Sequence, residues 1–414
     1  MTQAVRRQHS VAQRSPLRPS ERAMSGVKAE SLRAMNLSLA LRHILAAPGE
    51  ISRSGIAQAT GITRATISRL VDELIGAGLV LELDPPSGGR GRPATRLAPA
   101  PGRALALGLE VNVSSLDAVL VDLAGEELGS AHFDTDSSNS DPDEVMRRLA
   151  EIAEALLADS LPEGALFLGS GLALPGLVSE TALAHAPNLG WRDIPLEKLL
   201  APLERLHPAI VANEADLAAF VVANPLPGVP KGPASFVYVS GEVGIGAGIV
   251  VDHRPLGGAR GWSGEIGHIC ADPAGPACSC GATGCLEAYL GLRALARRAG
   301  LPRGASISDI RAKALEGDVA TLEALRTGGA ALGRSLAAVI NSVDIPLVLI
   351  GGIVAEVGEW VVEPALDEIR TRVLQSSWSD PRVEVLKDSW GLCVRGAASR
   401  ILQRLVDDPM AWTA

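Results

Sequence analysis

The sequence has few cysteines and no long hydrophobic run. Only five of its 414 residues are cysteine, and no uninterrupted apolar stretch reaches the roughly 18 residues that a membrane span needs. No apolar segment follows the basic pair Arg6-Arg7, so we expect no secretory signal. These absences favour a cytoplasmic protein. The length and the 47% hydrophobic content are sufficient for two or three domains.

Charge is distributed unevenly along the chain, although the net charge is only −9. Residues 1–103 carry 15 Lys and Arg against 7 Asp and Glu, whereas the remaining residues carry 23 against 40. A basic N-terminal part on an acidic body indicates a nucleic-acid-binding module joined to a domain of another function. Residues 1–30, rich in Arg, Ser, Gln and Pro without periodicity, are predicted to be a disordered basic arm.

Residues 31–98 have the pattern of a winged helix-turn-helix DNA-binding domain. A helix with an apolar face from Leu37 to Leu45 precedes a short helix at 53–60, a turn at Gly61 and a helix at 63–76. This spacing places the outward face of the last helix in a major groove. The candidate DNA-contacting residues on that helix are Arg64, Thr66, Ser68 and Arg69.

A predicted β-hairpin, with strands at 79–83 and 95–98, follows this helix. Its tip is basic and glycine-rich, a composition that lets Arg90 and Arg92 enter a narrow minor groove or grip phosphate. The alternative is an ordinary small helical domain with a solvated loop. Pro99-Ala100-Pro101-Gly102 is interpreted as a linker, and we expect the winged helix to fold separately from the rest.

The remainder alternates between strands and helices, as α/β proteins do. A helix is predicted at 142–157. Strands are predicted at 104–111, 116–122, 127–133, 166–172, 209–211, 236–239, 245–251 and 347–350.

Three of the five cysteines fall within eight residues, at Cys278, Cys280 and Cys285, and His268 lies ten residues upstream of the first. Thiolates and an imidazole at this spacing are the ligand set of a closed tetrahedral zinc site. Cys270 is a rival ligand. Buried free cysteines are the main alternative, and a disulfide is a weaker one because nothing suggests export. With all four positions filled by protein, such a zinc ion is structural rather than catalytic.

Four polar segments are placed where α/β proteins bind ligands, beside the ends of strands. They are 187–191, 213–214, 261–268 and Glu287. Their Asn, Glu and His side chains are the types that hydrogen-bond neighbouring sugar hydroxyls, although each one alone is more often a helix cap or a surface group. The glycine-rich run 241–248 is typical of a phosphate loop but lacks Lys and a hydroxyl, so it is equally explained as a hairpin turn.

Together these segments resemble the ROK family of repressors and sugar kinases. The most specific matches are Gly264-Glu265-Ile266-Gly267-His268 and the run 278–287, supported by 175–178, 186–191 and 349–352. The resemblance covers nearly the whole chain after the basic arm. The winged helix is similar to that of the repressor branch, which includes xylose and N-acetylglucosamine repressors.

The resemblance implies an actin-like, duplicated α/β body of two lobes, at 103–220 with a C-terminal helix at 390–414, and at 221–389. It implies structural Zn²⁺ and a monosaccharide or sugar phosphate in the cleft between the lobes, with His268 facing the sugar with one ring nitrogen and zinc with the other. The implied zinc ligands are His268, Cys278, Cys280 and Cys285. The implied sugar contacts are Asn188, Asn213, Glu214, Glu265, His268 and Glu287.

The sequence departs from the kinases of this family in three places. Residues 110–114 lack both glycines of the kinase phosphate loop, Val243-Gly244 replaces Thr-Gly, and Glu214 replaces the catalytic Asp. Without the glycines the backbone cannot close on a phosphate. A carboxylate displaced by about 1 Å can cost on the order of a hundredfold in rate. We therefore predict no catalytic residues; the alternative is an ATP-dependent sugar kinase with an appended DNA-binding domain.

The predicted function is sugar-responsive regulation, most simply repression, of carbohydrate uptake or metabolism genes. The expected partners are operator DNA and a sugar or sugar-phosphate effector, with a homodimer or homotetramer on a palindromic site and no membrane association. A third hypothesis is a regulator that keeps the zinc fold but senses a protein partner instead of free sugar.

Overall fold

The computed structural model describes residues 29–84, 95–241 and 243–412. Within these ranges no helix is both long enough and apolar enough to cross a membrane. The predicted basic arm, apart from its last two residues, lies outside the described residues. The wing residues Arg90 and Arg92 lie outside them as well.

The N-terminal domain has the predicted winged helix-turn-helix order. Its elements are α1 (Ala29–Ala46), α2 (Arg53–Thr60), α3 (Arg64–Gly76) and an antiparallel pair, β1 (Val80–Leu83) and β2 (Arg96–Pro99). Ser52 and Thr63 cap α2 and α3, because their hydroxyls accept hydrogen bonds from the backbone N–H groups of the first turns. The predictions for α2, α3 and both strands are confirmed to within about two residues.

The body contains two five-stranded sheets of the same topology. In each, three antiparallel strands in chain order are followed by two strands that lie parallel to the first, so that duplication is visible in the strand order. The first sheet contains β3 (Ala104–Val111), β4 (Ser115–Asp122), β5 (Glu127–Asp134), β6 (Leu166–Leu174) and β10 (Pro208–Asn213). The second contains β11 (Phe236–Gly241), β12 (Ile245–Val251), β13 (Arg254–Pro255), β14 (Leu347–Ile350) and β15 (Arg382–Val385).

Further elements complete the two lobes. A small antiparallel sheet, which the sequence analysis did not predict, contains β7 (Leu177–Val178), β8 (Ala182–Ala186) and β9 (Trp191–Pro195). The helices are α4 (Pro142–Ser160), α5 (Leu196–Leu200), α6 (Glu214–Ala223), α7 (Glu287–Leu290), α8 (Leu292–Arg298), α9 (Ile307–Leu315), α10 (Val319–Val343), α11 (Gly352–Glu356), α12 (Gly358–Arg372) and α13 (Leu392–Asp407).

The two sheets are connected by a pair of closely packed helices, α6 and α13. Helix α13 packs on the first sheet, and α6 packs on both α13 and β12 of the second sheet. The backbones approach closely at Gly396 of α13, where an added Cβ would overlap the carbonyl oxygen of Leu217 in α6. Only glycine permits this approach. Helices α6 and α13 therefore lie between the two sheets.

The winged helix shares a hydrophobic core with the body, so the prediction that it folds separately is wrong. Leu37 and Leu41 of α1 belong to the same buried cluster as Leu402 and Leu405 of α13. The linker interpretation of 99–102 is also wrong, because Ala100 is buried and its N–H donates to the carbonyl of Leu79 at 2.9 Å. Proline and glycine here make a tight connection between β2 and β3.

Candidate functional site

A cleft between the two lobes brings together all six residues for which the resemblance implied sugar contacts. It has about 580 Å³ of free space, part of it open to solvent. The first lobe contributes Asn188, Asn213 and Glu214, and the second contributes Glu265, His268 and Glu287.

On the first lobe, the side chain of Asn213 makes two hydrogen bonds within the protein. Its Oδ1 accepts from the N–H of Ala215 at 2.8 Å and caps α6, while its Nδ2 donates to the carbonyl of Gly176 at 3.0 Å. The amide retains one N–H and one lone pair for a ligand. Glu214 follows as the first residue of α6 and lines both the cleft and a neighbouring pocket.

On the second lobe, Glu287 is held by two hydrogen bonds. Its Oε2 accepts from the N–H of Ile245 and its Oε1 from the hydroxyl of Ser279, both at 3.2 Å. Gly244 lies between the lobes, because an added Cβ would be 2.5 Å from Glu287 Oε2 and 2.9 Å from Asn188 Nδ2. The side chains of Asn188 and Glu287 therefore both lie against the backbone of Gly244. Sequence analysis missed this role of Gly244, although the antiparallel pairing of β11 with β12 confirms the hairpin interpretation.

The two ring nitrogens of His268 face different groups. Its Nε2 lies 4.0 Å from Oε2 of Glu265, at the cleft, and its Nδ1 lies 3.9 Å from the sulfur of Cys278. One ring nitrogen of His268 therefore faces the cleft, and the other faces the cysteines. The pKa of Glu265 is raised, chiefly because burial disfavours its charged form, with repulsion from Glu287 adding to the effect and His268 opposing it.

The predicted ligand cluster is assembled in the fold. The ligand atoms of His268, Cys278, Cys280 and Cys285 all lie within 4.8 Å of one another, so this set could hold a metal ion. Sulfur atoms 2.3 Å from a shared tetrahedral centre are about 3.8 Å apart. The sulfurs of Cys280 and Cys285 are separated by 3.7 Å. Cys270 is free, exposed and not part of the cluster.

A second pocket adjoins the cleft and is lined by residues of the 110–114 segment, among others. Four carboxylates line it, from Glu110, Asp117, Asp134 and Glu214. Glu110 is buried and accepts a hydrogen bond from the thiol of Cys393 at 2.7 Å. Burial raises the pKa of Glu110 to about 7, against the opposing effect of that thiol. The Glu110–Cys393 pair was not predicted, because the two residues are far apart in sequence.

The candidate DNA-contacting residues of α3 differ in their surroundings. Arg64 and Arg69 are exposed, whereas Thr66 is half-buried and its hydroxyl lies 2.9 Å from that of Thr63 within the helix cap. Ser68 is half-buried, and its carbonyl accepts a hydrogen bond from Arg53 at 3.0 Å.

Arg53, which the sequence analysis did not single out, connects three elements of the N-terminal domain. Besides its bond to α3, it forms ion pairs with Asp72 at 2.6 Å and with Glu82 of β1 at 2.9 Å. These partners orient α3 relative to α2 and the wing.

Comparisons with known proteins agree with this architecture. A sequence model described as MarR family matches residues 38–91. The xylose repressor of Bacillus spizizenii is 28% identical over 352 residues, which cover 82% of this chain and 87% of the relative. The structure of a ROK family transcriptional regulator, a homologue of the E. coli MLC protein, is 26% identical with a TM-score of 0.73 and covers 91% of this chain and 97% of that one.

A kinase structure is also similar to the body. A ROK family glucokinase from Streptomyces griseus, in complex with glucose and AMPPNP, is 25% identical with a TM-score of 0.58, covering 72% of this chain and 98% of that one. A sequence model described as ROK family matches residues 106–404. Because this range contains both sheets, the cleft and the cluster of one histidine and three cysteines, the chain belongs to the ROK family.

Proposed function

We propose that the protein is a sugar-responsive transcriptional repressor of carbohydrate uptake or metabolism genes. The observation that carries this proposal is the core that α1 of the winged helix shares with α13 of the body. A DNA-binding domain packed on the element that joins the two lobes is placed to respond to events in the cleft. The similarity to proteins named xylose repressor and to an MLC-homologous regulator supports the same function.

The effector in this proposal is a monosaccharide or sugar phosphate bound by the six cleft residues. Closure of the lobes around it would move Glu214 at the start of α6, and α6 packs directly on α13. Since α1 rests on α13, lobe closure changes the position of α3 relative to DNA. Linkage then requires that operator DNA weaken sugar binding by the same factor by which sugar weakens operator binding.

Structural Zn²⁺ is the proposed occupant of the cluster, because three thiolates and one imidazole are a typical zinc donor set. The metal would fix the ring of His268 through Nδ1 and leave Nε2 for the sugar. It would also immobilise Cys278 and Cys280, between which Ser279 hydrogen-bonds Glu287. The proposed zinc therefore orients cleft residues without taking part in chemistry.

Phosphoryl transfer is not part of the proposal, although kinases are relatives of this chain. The pocket next to Glu214 has carboxylates where a phosphate would need donors and positive charge, and like charges repel. The kinase alternative predicts sugar-dependent ATP turnover that Glu214→Gln abolishes. We expect no turnover above background.

The remaining parts of the proposal concern assembly and location. We propose a cytoplasmic homodimer or homotetramer, because a two-fold assembly matches a palindromic operator. Arg64, Thr66, Ser68 and Arg69 would face the major groove, with Arg90 and Arg92 serving the wing.

Fluorescence anisotropy with DNA from upstream of the protein's own gene tests the proposal. Titration with a panel of sugars and sugar phosphates is expected to identify one that weakens binding. Arg64→Ala/Arg69→Ala is expected to lose DNA binding while keeping sugar binding. Arg370→Ala is the control, because it removes an exposed arginine that lies outside the winged helix. Equal DNA affinity with every sugar would contradict the coupling. An absence of calorimetric heat with every monosaccharide would favour a protein partner as the signal.

A further inference from the structure

A pocket outside the cleft is lined by three arginines of one chain segment. Arg293 and Arg297 lie on α8, and Arg303 lies on the loop that follows it. All three are exposed. None of them belongs to the cleft, to the metal cluster or to the DNA-binding face, so the proposed function gives them no role.

Within the part of the chain that the structure describes, Arg297 and Arg303 form no salt bridge, whereas Arg293 interacts electrostatically with Asp136. No carboxylate oxygen there lies within 4.0 Å of the guanidinium nitrogens of Arg293, Arg297 or Arg303. Elsewhere in the second lobe, exposed arginines such as Arg326 and Arg370 are paired with neighbouring carboxylates. An external anion would neutralise the positive charge that Arg293, Arg297 and Arg303 bring to the pocket.

The pocket also has room for such an anion. Gly300 and Gly304 line it together with the arginines, and a Cβ added to either glycine would meet no atom within 4 Å. The planar guanidinium group presents N–H donors in a fork that matches the oxygens of a phosphate. Three such groups around an open space are the donor set of an oxyanion site.

We propose that this arginine pocket binds a phosphate group, either as inorganic phosphate or as part of a small phosphorylated metabolite. The site is separate from the sugar cleft, with which it shares no lining residue. It has one connection to the first lobe, since Nη2 of Arg293 donates to the hydroxyl of Ser138 at 3.1 Å. The guanidinium of Arg293 has further N–H donors for a phosphate beside this hydrogen bond.

Isothermal titration calorimetry of the full-length protein with inorganic phosphate tests the site. Chloride is reduced as phosphate is added, so that the ionic strength stays constant. Saturable binding is expected. Arg297→Gln/Arg303→Gln is expected to weaken it by at least about tenfold, because each lost charged hydrogen bond contributes about 1.5 kcal/mol or more. The matched control is Arg326→Gln/Arg370→Gln, which removes the same charge from arginines that are already paired. Thermal melting verifies that both variants are folded.

A second arm of the experiment distinguishes the two sources of phosphate. A phosphorylated hexose that binds more tightly than inorganic phosphate, with affinity reduced in Arg297→Gln/Arg303→Gln, identifies a metabolite. Equal affinity of the two identifies inorganic phosphate. The absence of saturable binding below about 10 mM, or an equal effect of the control variant, overturns the proposal.

The result is independent of the sugar-responsive repressor function. Binding of the unphosphorylated sugar is expected to be unchanged in Arg297→Gln/Arg303→Gln. Phosphate binding is expected to be unchanged in the cleft variant Asn188→Ala. If the arginine pocket does not bind phosphate, sugar binding in the cleft can still be measured, and the reverse also holds.

Discussion

Ser38 of α1 donates a buried hydrogen bond of 2.6 Å to the backbone carbonyl of Val406 in the last turn of α13. Carbonyls in the last turn of a helix have no partner within that helix. The winged helix thus supplies a hydrogen-bond donor to this carbonyl of the body, and both domains contribute to the hydrophobic core around it. Arg42 adds a 2.9 Å hydrogen bond to the carbonyl of Gly228, and Lys231 donates to the carbonyl of Ala46 at 2.6 Å.

Ser38→Ala is therefore expected to lower the free energy of unfolding by about 1–3 kcal/mol, since it leaves the Val406 carbonyl buried without this partner. The wild-type winged helix and body are expected to unfold in one transition by calorimetry. The control is Ser342→Ala, whose exposed hydroxyl donates to the carbonyl of Ala338 at 2.7 Å. It is expected to change stability by less than about 0.5 kcal/mol. A separate melting transition of the winged helix would contradict the shared core.

Cys280→Ser is expected to abolish the sugar response before DNA binding, because the cluster packs in the second lobe, away from α1. The zinc content measured by mass spectrometry should fall from about one ion per chain, and calorimetry should show loss of sugar binding. Cys270→Ser, which removes a thiol outside the cluster, is the control and should retain both. Equal loss of sugar and DNA binding at unchanged stability would indicate that the cluster also holds the dimer.

Gly244→Ala is expected to prevent sugar binding, with little loss of stability. The new Cβ would lie 2.5 Å from Glu287 Oε2 and 2.9 Å from Asn188 Nδ2, so both side chains must leave their places. We expect at least about a hundredfold weaker binding in a calorimetric titration. Gly246→Ala is the matched control within the same cleft, because its Cβ would make only an ordinary contact at 3.6 Å with Ala215. The prediction fails if the two alanine variants bind sugar equally well.

Glu110→Gln is expected to change the pH dependence of stability. Burial raises the pKa of Glu110 from 4.5 to about 7, so between these values the folded state binds a proton more tightly than the unfolded state does. The contribution of Glu110 to stability is therefore present at low pH and is lost as pH rises to about 7, by up to about 3 kcal/mol.

Chemical denaturation at pH 5 and pH 8 measures this effect. The wild type should lose more stability between the two pH values than Glu110→Gln does. Glu363→Gln, which changes an exposed carboxylate, is expected to follow the wild type. A wild-type pH dependence in Glu110→Gln would show that this carboxyl does not titrate in the range.

The sequence predicted the elements whose signal is local. The strand at 104–111 was predicted with its observed bounds because it is an apolar run interrupted only by Gly108 and Glu110, and all of its residues are buried. The small sheet of β7, β8 and β9 was missed because its strands are short and mix buried, half-buried and exposed residues without clear alternation.

Features that depend on the approach of distant segments could not be predicted. The six cleft residues came from motif resemblance, but the position of Gly244 between Asn188 and Glu287 depends on how the two lobes meet. The thiol of Cys393 reaches Glu110 only because α13 returns to the first sheet. Residues 99–102 have the composition of a linker, yet burial of Ala100 depends on contacts that composition does not reveal.

The shared core around α1 and α13 limits how this protein can be recombined with its relatives. Exchange of the DNA-binding domain at 99–102, where the composition suggests a joint, would place α1 of one parent against α13 of another. The exchanged surfaces include Ser38, Arg42 and their partners on the body. A chimeric sensor that keeps its operator specificity and gains a new effector therefore needs α1 and α13 from the same parent, with α2, α3 and the wing as the exchangeable cassette.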